Sequence, residues 1–125
     1  MALKKYKYVN VDVLIGKDTV LTGDLLSQSA IKIDGKVCGN IKTDCELILS
    51  ETGLLEGNAE ADSLIISGKL LGDAKISGQL LIKETGCLEG NIEAGSLVIE
   101  AGGQFYGMNR SARPAKAETE LSEQE

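Results

Sequence analysis

The chain has 125 residues, enough for one domain with tails, and its net charge of −6 excludes nucleic acid as the main partner, because phosphate binding needs a basic footprint. It contains no histidine, which excludes His-based general-base catalysis and the Ser-His-Asp arrangement. Glycine accounts for 15 residues, proline for 1 and aromatics for 3%, so Leu, Ile and Val carry the apolar content, which suits narrow stacked layers better than a bulky globular core.

Residues 1–13 are expected to form a flexible N-terminal segment. In it Lys4, Lys5 and Lys7 interleave with Leu3, Tyr6 and Tyr8. Two readings stand. One is a frayed, soluble lead-in. The other is a contact with the inner face of the cytoplasmic membrane, in which each Lys adds about 1 kcal/mol against anionic lipid and Tyr favours the interface. Such a contact is weak for one chain and accumulates when many chains share a polymer. The segment lacks the apolar run of a signal peptide, and no stretch approaches the roughly 20 apolar residues of a transmembrane helix. A cytoplasmic location follows as the expectation, with peripheral membrane attachment as its finer form.

Residues 11–20, VDVLIGKDTV, read as a strand followed by a turn at Gly16. From Val20 to Gly107 the chain repeats itself. Glu51 to Ser67 and Glu84 to Glu100 match at 12 of 17 positions with an offset of 33. Half of that offset also recurs, because the triplets beginning at Leu47, Leu64, Leu80 and Leu97 start 16 or 17 residues apart. Ile31-Lys32-Ile33 joins them one step earlier. Between the triplets runs a second ladder, an apolar residue, one variable residue, Gly, then Asn or Asp. Its copies end at Asp24, Asn40, Asn58, Asp73 and Asn91, and Phe105-Tyr106-Gly107 is a last copy without the Asn. The unit is therefore about 17 residues long and occurs about six times. Glycine every few residues opposes helix, Ile and Val favour strand, and Gly-Asn or Gly-Asp pairs make turns. Three short strands per unit, coil stacked on coil, predict an all-β, single-domain solenoid over residues 14–109. At about 4.8 Å per layer, six coils give a rod roughly 29 Å long.

Side chains alternate faces along a strand. With Lys32 outward, Ile31 and Ile33 point inward, and the same parity turns Ile48, Ile65, Leu81 and Val98 outward. That row is either strand propensity expressed at surface sites or a lateral association face. Cys38, Cys45 and Cys87 have no CxxC spacing and no histidine beside them, so no metal site and no cofactor is expected. No GxxxxGK[ST] sequence is present, so no nucleotide is expected either. Acidic residues near turns (Asp24, Glu56, Asp73, Glu89) lack the aromatic platforms of sugar-processing solenoids, and no enzymatic activity is predicted. Residues 110–125 break the repeat, contain Pro114 and end acidic, which predicts a disordered tail.

A solenoid has two open ends that natural monomeric examples cap. Neither end here carries an amphipathic helix or a charged terminal coil. Phe105, the only phenylalanine, stands in a slot that is Leu or Val elsewhere. It either plugs the last layer or meets another subunit.

The run from Ile31 to Asp73, IDGKVCGNIKTDCELILSETGLLEGNAEADSLIISGKLLGD, resembles the core of the bactofilins, a family of bacterial cytoskeletal proteins. The resemblance continues through GCLEGNIEAGSLVIEAGGQFYG and spans about residues 14–109. It implies a right-handed, triangular β-helix with short disordered termini. It also implies nucleotide-independent, non-polar filaments, often on the inner face of the cytoplasmic membrane, acting as scaffolds for cell shape, cell-wall enzymes or appendages. Family filaments join through their terminal coils, which implies a polymerisation interface of Leu14, Ile15 and Val20 at one end and Phe105 at the other. The partners expected are thus the chain itself, the membrane and scaffolded proteins. The competing reading is a non-polymerising solenoid that presents one face to a protein partner.

Overall fold

The structure, a computed structural model, describes residues 11–110. Apolar and polar residues alternate along the strands, and most strands last three to five residues before a turn, often at Gly or Asx, takes the chain around a corner. Coil one comprises β1 (Val11–Ile15), β2 (Val20–Thr22) and β3 (Leu25–Ser27). Coil two comprises β4 (Ala30–Ile33), β5 (Lys36–Cys38) and β6 (Ile41–Thr43). Coil three comprises β7 (Glu46–Leu49), β8 (Leu54–Glu56) and β9 (Ala59–Ala61). Coil four takes β10 (Ser63–Ile66), β11 (Lys69–Leu71) and the start of β12 (Ala74–Ile82). Coil five takes the end of β12, β13 (Cys87–Glu89) and the start of β14 (Ile92–Ile99). Coil six takes the end of β14 and β15 (Gln104–Tyr106), and an isolated bridge between Ile92 and Asn109 completes it.

Every strand pairing is parallel and joins one coil to the next. Three faces result, as three strands per coil require. The first is β1-β4-β7-β10 followed by the ends of β12 and β14. The second is β2-β5-β8-β11-β13-β15. The third is β3-β6-β9 followed by the starts of β12 and β14. β12 and β14 run on around the corner between the third and first faces. The register between them slips between Ile76 and Gln79, where Ser77-Gly78 opposes a shorter corner at Gly95.

The core is a column of layers. The first face sends in two residues per coil, for example Leu47 and Leu49, then Leu64 and Ile66. The second face sends in one, the row Val37, Leu55, Leu70 and Leu88. The third face mixes small and large groups, Ala59, Ala61, Ala74 and Ala94 with Ile41, Ile76 and Ile92. A cross-section this narrow has no room for a ring among its middle layers, which accounts for the near absence of aromatics. The one buried polar side chain among the described residues, Thr43, is satisfied: its hydroxyl donates to the Ser29 carbonyl at 2.6 Å and accepts the Cys45 N–H at 3.1 Å.

Two ladders hold the corner between the second and third faces. Asp24 Oδ1 accepts the Asn40 N–H, Asn40 Oδ1 that of Asn58, and Asn58 Oδ1 that of Asp73, each at 3.0 Å. Asp73 Oδ1 accepts the Asn91 N–H at 2.9 Å. Beside it runs the glycine ladder, with positive φ at Gly23, Gly39, Gly57, Gly72, Gly90 and Gly107. A Cβ on Gly57 would run into the carbonyl oxygen of Gly39 in the coil before it. Only Gly23, in the first coil, has open space there, with nothing within 4 Å.

The contrast makes a paired prediction. Gly23→Ala, with φ of 128° and no neighbour, is expected to cost about 1–2 kcal/mol of backbone strain alone. Gly57→Ala adds a collision with a backbone layer to that strain, and its loss is expected to exceed about 3 kcal/mol. Denaturant midpoints measure both. Equal losses would mean that layer spacing at this corner is not what demands glycine.

Candidate functional site

A coil inside the rod has a neighbour on both sides, and an end coil has one. β1, β2 and β3 each pair on a single side, with β4, β5 and β6. At the other end β15 pairs only with β13, and the Leu97–Ile99 part of β14 only with β12. Among the described residues nothing covers these edges. Each presents unpaired backbone donors and acceptors, a ready template for another chain.

The side chains agree with the edges. The large hydrophobics that stand exposed among the described residues are Leu14, Val20, Leu26, Tyr106 and Met108, at 54–75% exposure. The first three belong to coil one and the last two to coil six. Of the residues expected at the N-terminal end, Leu14 and Val20 are exposed. Ile15 is only 9% exposed, stacks over Ile33 and belongs to the inward layer of the first coil. At the far end Phe105 stacks over Leu88, points inward and is half-buried against the core. It closes its layer and still shows part of its ring to solvent.

Sequence reasoning missed Leu26, Tyr106 and Met108. The signal was present for Leu26, because Lys42 pairs above it and faces outward, so an apolar residue in that slot is exposed. Tyr106 pairs with Glu89 in an outward row. Met108 occupies the Asx slot. Asn91 Oδ1 accepts the Met108 N–H at 3.2 Å, and a thioether then offers the next coil no carbonyl or carboxylate oxygen. The side-chain ladder ends there.

The outward row of the first face is where parity placed it. Leu14 pairs with Lys32, Lys32 with Ile48, Ile48 with Ile65, Ile65 with Leu81, and Leu81 with Val98. All but Leu14 are half-buried. The third face has a different outward row, Leu26, Lys42, Glu60, Lys75 and Glu93, alternating in sign beyond its first member. Along it lies an open groove of about 630 Å³, edged by Asp24, Asn40, Asn58 and Asp73. Its one ion pair among the described residues, Lys42 Nζ to Glu60 Oε1 at 4.0 Å, is solvent-exposed and contributes little. The Lys residues of the proposed membrane contact, with Leu3, Tyr6 and Tyr8, lie outside the described residues.

The cysteines are dispersed. Cys38 pairs with Thr22 on one side and Glu56 on the other, and its Sγ donates to Glu56 Oε1 at 3.7 Å. Burial pushes the Cys87 thiol up, with the Glu89 carboxylate adding to the rise and Lys69 opposing it. A thiol shifted that way carries less thiolate at neutral pH and is a poorer nucleophile. Among the described residues no group of three or more His, Cys, Asp or Glu side chains could hold a metal ion, and no helix is long and apolar enough to cross a membrane.

The chain was compared with known families and proteins. No curated protein and no solved structure gives a significant match. One family profile does, described as polymer-forming cytoskeletal, and it matches residues 13–110. That span begins in the first coil and ends just past the bridge that completes the sixth. The match covers the whole repeating rod, and the chain belongs to the bactofilin family of polymer-forming cytoskeletal proteins.

Proposed function

We propose that the chain is a structural scaffold that polymerises end to end, without nucleotide or metal, into non-polar filaments. One observation carries this reading: the exposed large hydrophobics of the described residues all lie in the first or last coil, beside unpaired strand edges. Joining two ends buries both apolar layers and pairs both edges, so the free energy comes from burial and no fuel is needed. The end of the Asx ladder supports like-to-like joining. Head-to-tail stacking would set the Asp24 N–H against Met108 in place of an Asx oxygen. Joining like ends makes a self-complementary contact and a filament without polarity. The filament works in the cytoplasm as a scaffold for cell shape or envelope machinery, as the resemblance implies. Its lysine-rich residues 2–8 hold it to the inner membrane face through avidity.

Negative-stain microscopy of the purified protein, without nucleotide or metal, is expected to show unbranched filaments a few nanometres wide. Phe105→Arg and Leu26→Arg are each expected to leave folded rods, with β circular dichroism retained, that form no filaments. If both variants still make long filaments, the ends have been misassigned.

Polarity has its own test in a background where Cys38, Cys45 and Cys87 are serine. Leu26→Cys filaments treated with a short bis-maleimide are expected to yield covalent dimers. Dimers that require Leu26→Cys and Met108→Cys in the same filament would instead establish head-to-tail joining.

Membrane attachment is tested by co-sedimentation with anionic liposomes. Deletion of residues 2–8 is expected to abolish it while filaments persist. Undiminished co-sedimentation would rule out this segment as the anchor.

A further inference from the structure

The three faces of the rod differ in what they show to solvent. The third face carries Lys42, Glu60, Lys75 and Glu93 in its central outward row. The second face mixes Lys36, Lys69, Glu56 and Glu89 into its two outward rows. The first face instead carries four consecutive aliphatic residues, Ile48, Ile65, Leu81 and Val98, one per coil. Their flank on one side is Glu46, Ser63, Gln79 and Ser96, three of the four uncharged. Strand propensity alone does not explain the difference, because all three faces are built from the same parallel strands. From coil two to coil six this face also keeps an unbroken register, with the slip near Gly78 confined to its corner.

We infer that the first face is a lateral interface, and that its occupant is the same face of a second filament of this chain. This inference rests on the end-to-end reading above. A membrane is a poor occupant, since the row has no aromatic residue and is bordered by Glu46 and Glu100. An added β-strand is excluded from this face, because the unpaired backbone groups lie at the ends of the rod. A second flat sheet with the same aliphatic row fits, as two sheets pack face to face about 10 Å apart through such side chains.

The area decides when the contact forms. Six layers of about 4.8 Å and a strand about 13 Å wide offer roughly 380 Å² per subunit. A stable pair of proteins needs about 800 Å² on each side. One rod falls short, and a filament of three subunits exceeds that area. Lateral pairing is therefore a property of the polymer, since each further subunit adds contact without a new association event.

The experiment compares wild type with Ile65→Lys, Ile65→Val and Lys75→Glu, the last on the third face. Each is sedimented at low speed, which collects bundles, and at high speed, which collects all filaments, and each is imaged by negative stain. Wild type, Ile65→Val and Lys75→Glu are expected to give laterally paired or bundled filaments. Ile65→Lys is expected to lose the low-speed pellet, keep the high-speed pellet and appear as single filaments. Paired Ile65→Lys filaments, or wild-type filaments that are always single, would overturn the inference while leaving the end-to-end reading intact. Folded Ile65→Lys that makes no filaments would also overturn it, by moving this row into the polymerisation contact. Wild type that makes no filaments would overturn the end-to-end reading and this one with it.

Discussion

The constraint on which everything else depends is the distance between coils. Parallel backbone ladders hold successive layers at about 4.8 Å, and every corner must obey that spacing. At the corner of the second and third faces this leaves no volume for a Cβ from the second coil on, and glycine recurs there at each layer with positive φ. The Asx residue that follows ties its layer to the next one by a side-chain oxygen. The Leu, Ile and Val layers inside are then stacked in register and need only be narrow and apolar. Stability in such a rod is close to a sum over layers and their interfaces, because each coil touches only its neighbours.

The same rule makes the ends special. An interior layer satisfies its edge with the layer above and the layer below, and a terminal layer cannot. The chain leaves Leu14, Val20 and Leu26 exposed at one end and Tyr106 and Met108 at the other. It also stops its Asx ladder at Met108. Among the described residues both terminal coils thus present surface suited to another copy, and under the end-to-end proposal elongation repeats between subunits the stacking that already operates within one. The remaining surface carries charges of alternating sign along an open groove and a Cys87 thiol pushed up by burial.

The repeat was legible because it is local. A period near 17 residues implies three short strands and their turns, and side-chain alternation then sorts Ile31 and Ile33 inward and Ile48, Ile65, Leu81 and Val98 outward. Phe105 stood out as the aromatic in an aliphatic column, and it lies in the last layer. These features depend on spacing and residue type, and a sequence carries both.

Only the tertiary structure decided which outward residues are left without a neighbouring coil. Leu26 reads as an ordinary strand residue until β3 proves to be an edge, and Tyr106 and Met108 do so until the sixth coil proves to be the last among the described residues. Ile15 packs over Ile33, and its burial follows from the coil beside it. The continuous β12 and β14 likewise come from corner geometry, where Ser77-Gly78 and Gly95 let the chain bend without leaving the extended conformation. Exposure at an end is set by the absence of a layer, and a pattern read along the chain records the layers that are present.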